Sequence, residues 1–209
     1  MQRKLIFRVI SAAAIAAAAG FFGCETEAGA PGARPVDRPI VAPAKGVKTM
    51  TLQITSAAFA AGERIPTKHT GEGEDVSPPL TWSDLPPGTK ELALICDDPD
   101  APTKEPWVHW VMYKIPPELR SLPEGIPARS NLQEPVGALQ GKNSWPNGRT
   151  IGYRGPMPPP GHGQHRYFFR LYALDAKLSL PPGASKAELL DAMQGHVLGE
   201  GELLGTYSR

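Results

Sequence analysis

The chain has 209 residues, with 22 Lys or Arg against 21 Asp or Glu, a formal net charge of +1 with His neutral, and unusually dense punctuation by 24 Pro and 22 Gly. That balance, with no Lys/Arg cluster interleaved with aromatic side chains, gives no electrostatic footprint for nucleic acid or for a polybasic membrane-surface role. Only two cysteines, Cys24 and Cys96, are present, so a disulfide would have to join the extreme N-terminus to an apolar strand.

Residues 1–8 carry Arg3, Lys4 and Arg8 with no acid, and an Ala-rich apolar run follows from Val9 to Phe22. This is the charged n-region and apolar h-region of a signal peptide, too short for a comfortable membrane span. Gly23 immediately before Cys24 resembles the lipobox of bacterial lipoproteins, in which the chain is cut before the cysteine and the cysteine is lipidated; Phe21 stands where Leu is usual. A plain signal peptide or an uncleaved anchor is the alternative. The expectation is a lipoprotein signal over 1–23, a lipid on Cys24, and a domain exported to the bacterial cell envelope and facing the periplasm. Loss of 1–23 removes three of the 22 basic residues and none of the 21 acidic ones, leaving a formal charge of −2. Cys96 is then a lone thiol at the end of Leu92-Ala93-Leu94-Ile95, read as a small buried apolar residue rather than a nucleophile.

Residues 24–47 lack periodicity and are rich in Ala, Pro and Gly, as a tether is. The remaining stretch, 48–209, is about 160 residues, enough for one domain with a core. Its apolar runs are short and bounded by Pro-Pro, Pro-Gly and Gly-rich turns: Thr51 to Phe59, Leu80 to Trp82, Glu91 to Asp97, Trp107 to Ile115, Arg166 to Leu174 and Glu202 to Tyr207 read as strands. They predict an all-β sandwich. One helix is expected, from Ser185 to Gly195, where Ser185 and Glu188 make a capping box and Gly195 a stop.

Strand parity predicts which side chains meet. Period two puts Trp107, His109, Val111 and Tyr113 on one face of their strand, and Val108, Trp110 and Met112 on the other. Both faces are apolar, so this strand is central, and a histidine in it needs a partner. His165, Tyr167, Phe169 and Leu171 share a face of a later strand. A turn carrying Asp98 and Asp100 beside both strands would let the carboxylates accept from imidazole N–H groups and favour positive charge on the rings.

The segments Ser77-Pro78-Pro79-Leu80-Thr81-Trp82, Asp98-Pro99-Asp100-Ala101-Pro102, Trp107-Val108-His109-Trp110, Gly152-Tyr153-Arg154-Gly155-Pro156, Gly161-His162-Gly163-Gln164-His165-Arg166-Tyr167 and Gly205-Thr206-Tyr207 occur in the order and spacing of the phosphatidylethanolamine-binding protein family. From about residue 48 to the C-terminus the chain resembles its bacterial, Raf kinase inhibitor-like branch. The resemblance implies a Greek-key-type β-sandwich with a small cavity that accepts phosphate, acetate or a phosphoethanolamine-like head group. Carried over residue by residue, the ligand-binding set is Asp98, Asp100, Trp107, His109, Gly155, Pro156, His165 and Tyr167. Met157 stands where bacterial members often have Cys, and Pro160 where they often have a basic residue; the first makes the mouth more apolar, the second weakens attraction for anions.

The chemistry of this set suits a zwitterion: imidazolium groups, the Tyr167 hydroxyl and backbone N–H groups near Gly155 for phosphate oxygens, and Asp98 or Asp100 for an ammonium. A metal hydrolase built from His109, His162, His165 and Asp98 is the distant alternative, since no His-Glu-x-x-His occurs and the histidines sit on a Gly-rich loop. Ser144 lacks the Gly-x-Ser-x-Gly of a nucleophile elbow, and Gly161-His162-Gly163 precedes a strand rather than a helix. Binding without turnover, with no cofactor and no metal, is therefore the expected function. A regulatory protein-interaction module is the runner-up, its protein partner unspecified.

Overall fold

In the computed structural model the chain is described over residues 41–146, 148 and 150–209. The signal segment 1–23, Cys24 and the first part of the tether lie outside the described residues. Among the described residues nine strands and one α-helix follow in order: β1 (Met50–Thr51), β2 (Ile54–Thr55), β3 (Leu80–Trp82), β4 (Glu91–Asp98), β5 (Trp107–Ile115), β6 (Ser121–Leu122), β7 (Leu139–Gln140), β8 (His165–Leu174), α1 (Lys186–Ala192) and β9 (Val197–Tyr207), with a single 3₁₀ turn at Thr67–His69 between β2 and β3. Six of the strands form one sheet in the order β1-β9-β8-β4-β5-β7, and three form a second in the order β2-β3-β6. The expected sandwich is observed.

The long strands β4 and β8 are buried on both faces because each face has its own cover. Leu94, Cys96, Trp110, Met112 and Phe169 point toward the small sheet and pack with Leu52, Ile54, Leu80 and Trp82. Ile95, Val111, Tyr113 and Tyr172 point the other way, against Leu178, Leu189 and Met193. Complete burial of each such side chain contributes about 1.5–3 kcal/mol, so the continuous apolar runs of β4 and β8 record a two-sided core rather than one wet face. A charged cluster is embedded beside the second layer: Arg170 meets Asp97 at 2.6 Å and Glu202 at 2.9 Å, and Lys186 at the start of α1 reaches the other oxygen of Asp97. Two cations on one buried carboxylate tie the helix to the sheet.

Several boundaries differ from expectation for local reasons. The run from Thr51 to Phe59 is two short strands in different sheets, since β1 pairs parallel with β9 while β2 pairs with β3. Pairing ends there because the Ser56 hydroxyl donates to the Pro79 carbonyl at 2.7 Å and accepts from the Ala58 N–H at 3.1 Å, a local alternative to the ladder. β9 begins five residues before Glu202, through glycines that weaken a strand signal. At Gly201 a Cβ would lie 2.4 Å from the Leu52 carbonyl oxygen, so the close approach of the neighbouring chain requires the missing side chain. Residues ahead of 48 also bond to the rest of the fold: Ala44 N–H donates to the Val197 carbonyl at 2.9 Å, and Gly195 N–H to that of Ala42 at 3.0 Å. The helix spans Lys186–Ala192 with the capping box in place, Ser185 accepting from Glu188 N–H at 3.2 Å and returning its own N–H to the Glu188 carboxylate at 2.7 Å.

The departure that matters most for function is in β5. Asp97 pairs with Val108 and Cys96 with Trp110, leaving His109 as an extra residue in a β-bulge. A bulge re-aims a side chain, and it overturns the period-two expectation for this end of the strand. Val111 and Tyr113 face the helix layer, whereas His109 faces Tyr167, its ring centroid 5.0 Å from the phenol in an edge-on contact.

Candidate functional site

A cavity of about 220 Å³ opens at the end of the large sheet where β4 and β5 are joined and β8 begins, with Asp98, His109, His165 and Tyr167 among its walls. Three of its groups sit at strand ends because that is where the ladder releases the chain: Asp98 is the last residue of β4, Trp107 the first of β5 and His165 the first of β8. Register holds them together, since Asp98 pairs with Trp107. His165 and Tyr167 share a face two residues apart, as period two predicts.

The polar floor is a chain of hydrogen bonds. His165 Nδ1 donates to Asp98 Oδ2 at 2.7 Å, and the second oxygen, Oδ1, accepts the Asp100 N–H at 2.8 Å. On its far side His165 Nε2 lies 2.7 Å from His162 Nδ1, so one proton bridges the two rings. His109 Nδ1 donates to the Arg154 carbonyl at 2.6 Å. Burial is the dominant influence on His109 and lowers its pKa below the ordinary histidine value, against the opposing charge of Asp98. The ring is therefore neutral near pH 7, and its Nε2, which has no protein partner among the described residues, is an acceptor. At His109 this departs from the expectation that the neighbouring carboxylates favour positive charge on the ring. Tyr167 is 1% exposed and its hydroxyl makes no hydrogen bond among the described residues. Burial, with Asp98 adding to it, raises the phenol pKa far above the ordinary value, so the hydroxyl keeps its proton and is a donor.

The remaining walls are aromatic and apolar. Trp145 stands edge-on to both His109 and Trp107, with centroids at 4.9 Å and 5.4 Å, and Met157, Pro158 and Pro159 form part of the rim. No Lys or Arg is among the described residues that line the cavity.

Of the eight residues expected to bind ligand, Asp98, Trp107, His109, His165 and Tyr167 line the cavity, and Asp100, Gly155 and Pro156 do not. The Asp100 carboxylate is occupied by Arg166, which grips it through Nε and Nη2 at 2.8 Å each and through its own N–H at 3.0 Å. It clamps the start of β8 rather than orienting an imidazole. Gly155 offers no N–H to a ligand either, because that group donates to Asp75 Oδ1 at 2.7 Å. A Cβ on Gly155 would lie 2.2 Å from the His69 carbonyl oxygen, and the Pro156 carbonyl accepts from Gly71 N–H at 2.9 Å. Both residues fasten the loop at 69–75, and Arg154, bonded to Asp75 at 2.5 Å, presents its carbonyl to His109. Sequence reasoning missed Trp145. It belongs to no motif, and only the pairing of Ser144 with Val108 at the bulge, N–H to carbonyl and N–H to hydroxyl at 2.9 Å each, brings it to the wall.

Asp98, His165 and His162 form a line in which His165 separates the other two, and among the described residues no group of three or more His, Cys, Asp or Glu converges as metal ligands do.

The sequence model of the phosphatidylethanolamine-binding protein family matches residues 55–208. The chain belongs to this family. Among its relatives, a UPF0098 protein of Methanothermobacter thermautotrophicus is 52% identical over 158 residues, covering 76% of this chain and 99% of the relative. One from Aquifex aeolicus is 45% identical over 159 residues, covering 76% and 89%. Of solved structures, a phosphatidylethanolamine-binding protein homologue from Chlamydia trachomatis superposes with a TM-score of 0.67 at 40% identity, over 77% of this chain and 99% of the other. Escherichia coli YbcL gives the same TM-score of 0.67 at 34% identity, over 76% and 98%. As a member of the phosphatidylethanolamine-binding protein family the chain is assigned to a group of binding proteins, and its cavity lies at the family resemblance's own motifs, Asp98 to Pro102 and Gly161 to Tyr167.

Proposed function

We propose that this domain is a binding protein for a small oxyacid, a phosphate-type or phosphoethanolamine-like head group, held without turnover. The observation that carries the reading is the Tyr167 hydroxyl, buried on the cavity wall without a hydrogen-bond partner among the described residues, beside His109, which also lines the cavity and whose Nδ1 is already spent on the Arg154 carbonyl. Buried polar groups in folded proteins are almost always satisfied, so a donor and an acceptor left open beside a cavity are matched to a ligand. The cavity, about 220 Å³, is smaller than the roughly 300–1,000 Å³ that drug-sized ligands occupy, which favours a head group over a whole lipid. Trp107 and Trp145 offer π-faces to an ammonium end, and Asp98 a carboxylate. Absence of turnover is supported by the disposition of the nucleophiles: the Ser144 hydroxyl accepts from Val108 N–H, and Cys96 is buried in the inter-sheet core with its thiol pKa pushed up by desolvation.

In this reading the chain is exported, cut before Cys24 and held at the bacterial envelope by lipid on that cysteine, with two or more acyl chains needed for firm anchoring. Intact mass of the protein extracted from membranes tests that arrangement, and a mature chain starting elsewhere or carrying an unmodified Cys24 refutes it. Calorimetric titration of the purified protein with O-phosphoethanolamine tests the site. Few contacts are available, so affinity near the millimolar range, about 4 kcal/mol, is expected. Binding that survives His109→Ala at full strength, or no heat at any attainable concentration, sinks the proposal.

A further inference from the structure

The cavity's hydrogen-bonding pattern specifies more than a phosphate-sized guest. We infer that it selects the protonated form of its oxyacid, taking a ligand that brings one hydroxyl to donate to His109 Nε2 and one oxygen to accept from Tyr167. The inference rests on the binding role proposed above and adds the protonation state of the ligand to it.

Three observations support it. First, His109 presents a lone pair rather than a proton. Its Nδ1 proton is spent on the Arg154 carbonyl at 2.6 Å, so Nε2 of the neutral ring can only accept. Second, the Tyr167 hydroxyl is buried without a hydrogen-bond partner among the described residues, and its ring packs edge-on against that of His109, centroids 5.0 Å apart, so the two residues line one cavity side by side. An ester dianion satisfies the phenol and leaves His109 facing a bare oxygen, two lone pairs opposed. A monoanion with one P–OH satisfies both. Third, the charge on the walls disfavours a dianion. Asp98 lines the cavity, and no Lys or Arg does so among the described residues. A buried carboxylate repels a second negative charge more strongly the less solvent lies between them.

The influences on His109 oppose one another, and burial prevails. Asp98 at the end of β4, with Asp97 and Asp75 further off, favours the imidazolium, and desolvation outweighs them. His165 and Tyr167 approach from β8, and Trp145 covers the ring edge-on. Arg154 adds no free cation, since Asp75 takes its guanidinium.

The test is a set of calorimetric titrations of the wild-type protein from pH 5 to 9 with methyl phosphate, methylphosphonate and dimethyl phosphate. Methyl phosphate loses its last P–OH with a pKa near 6, methylphosphonate loses it at higher pH, and dimethyl phosphate carries one negative charge and no P–OH throughout. Affinity for methyl phosphate is expected to fall about tenfold per pH unit once its second ionisation, near 6, is passed. The same limb for methylphosphonate is displaced upward by the difference between the two ligand pKa values. Dimethyl phosphate binds at least about tenfold more weakly than methyl phosphate at pH 5.5, the worth of one good hydrogen bond. Tyr167→Phe lowers affinity for methyl phosphate and methylphosphonate by a similar factor and leaves both pH profiles in place. One common pH limb for methyl phosphate and methylphosphonate overturns the inference, because a protein group is then titrating, and so does dimethyl phosphate binding as tightly as methyl phosphate. No binding of any of the three at any pH overturns the oxyacid reading itself, and the inference with it. The wild-type series needs no variant to fold.

Discussion

Gly155→Ala separates two roles that the sequence leaves indistinguishable, a backbone contact to ligand and a packing contact to the loop at 69–75. The added Cβ would lie 2.2 Å from the His69 carbonyl oxygen, 2.6 Å from Thr70 Cα and 2.9 Å from the His69 carbonyl carbon. All three are backbone atoms, which cannot swing aside as a side chain does, and carbon contacts are comfortable only near 3.5–4.0 Å. The loop must therefore recede by roughly 1 Å, pulling on the Tyr153 hydroxyl that donates to the His69 carbonyl at 2.7 Å and on the Gly155 N–H bonded to Asp75 at 2.7 Å. Overpacking of this kind costs about 1–3 kcal/mol, and weakening a hydrogen bond to a charged acceptor adds about 1.5–3 kcal/mol at most. A loss of about 3 kcal/mol is expected, and for a domain of this size that lowers the melting temperature by roughly 6–12 °C. Differential scanning calorimetry of wild type and variant reads it directly. Affinity for O-phosphoethanolamine, measured well below the transition, falls as well, because Arg154, one residue away, supplies the carbonyl that fixes the His109 tautomer. An unchanged melting temperature with binding abolished would refute the packing argument and return Gly155 to the ligand.

Two further outcomes follow from the same geometry. Asp100→Asn loosens the Arg166 clamp, lowering stability by about 1 kcal/mol, a part-exposed bidentate pair being worth little more, while affinity changes less than about threefold; a tenfold loss in calorimetric titration would put the Asp100 carboxylate back on the cavity wall. Although burial opposes it, the Arg166 guanidinium holds the Asp100 carboxyl below its ordinary value, so this contribution is present at neutral pH and is lost as pH falls through the depressed folded pKa. Cys96, fully buried with its thiol pKa pushed well up by desolvation, is expected to stay unmodified by a thiol reagent in the native protein at pH 8 and to react stoichiometrically in denaturant; rapid labelling of the native state would contradict its place in the core.

What could be seen in the sequence was decided by how local each cause is. The continuous apolar runs of β4 and β8 and the capping box at Ser185 are properties of neighbouring residues, and they predicted the sandwich and its helix. The resemblance carried by the motifs around Asp98, Trp107 and His165 singled out these residues, and their places at strand ends bounded by Pro or Gly put them on the cavity wall. The clamp on Asp100 was not legible because its partner, Arg166, lies 66 residues away, and no pattern distinguishes a clamped carboxylate from a free one. The packing of Gly155 against the His69 backbone was not legible because a glycine required by a neighbouring backbone and one required by a ligand look alike. Trp145 could not be found at all, since its place depends on Ser144 reaching Val108 across the sheet edge.

The bulge at His109 is the point where these levels meet. Strict period two would send this ring to the face of Val111 and Tyr113, where the helix layer packs, and the cavity would keep the Tyr167 donor and lose its facing acceptor. One extra residue between the pairs Asp97 with Val108 and Cys96 with Trp110 turns His109 toward Tyr167, while Trp110, Val111 and Met112 stay paired with Cys96, Ile95 and Leu94. The displaced backbone is held from outside by Ser144, through its N–H and hydroxyl to Val108, and from above by Arg154, whose N–H donates to the His109 carbonyl at 3.0 Å and whose own carbonyl takes the imidazole proton. The same residues that stabilise the irregularity thus set the ring's tautomer, so the acceptor that His109 keeps open at the cavity is a consequence of how the bulge is tied down.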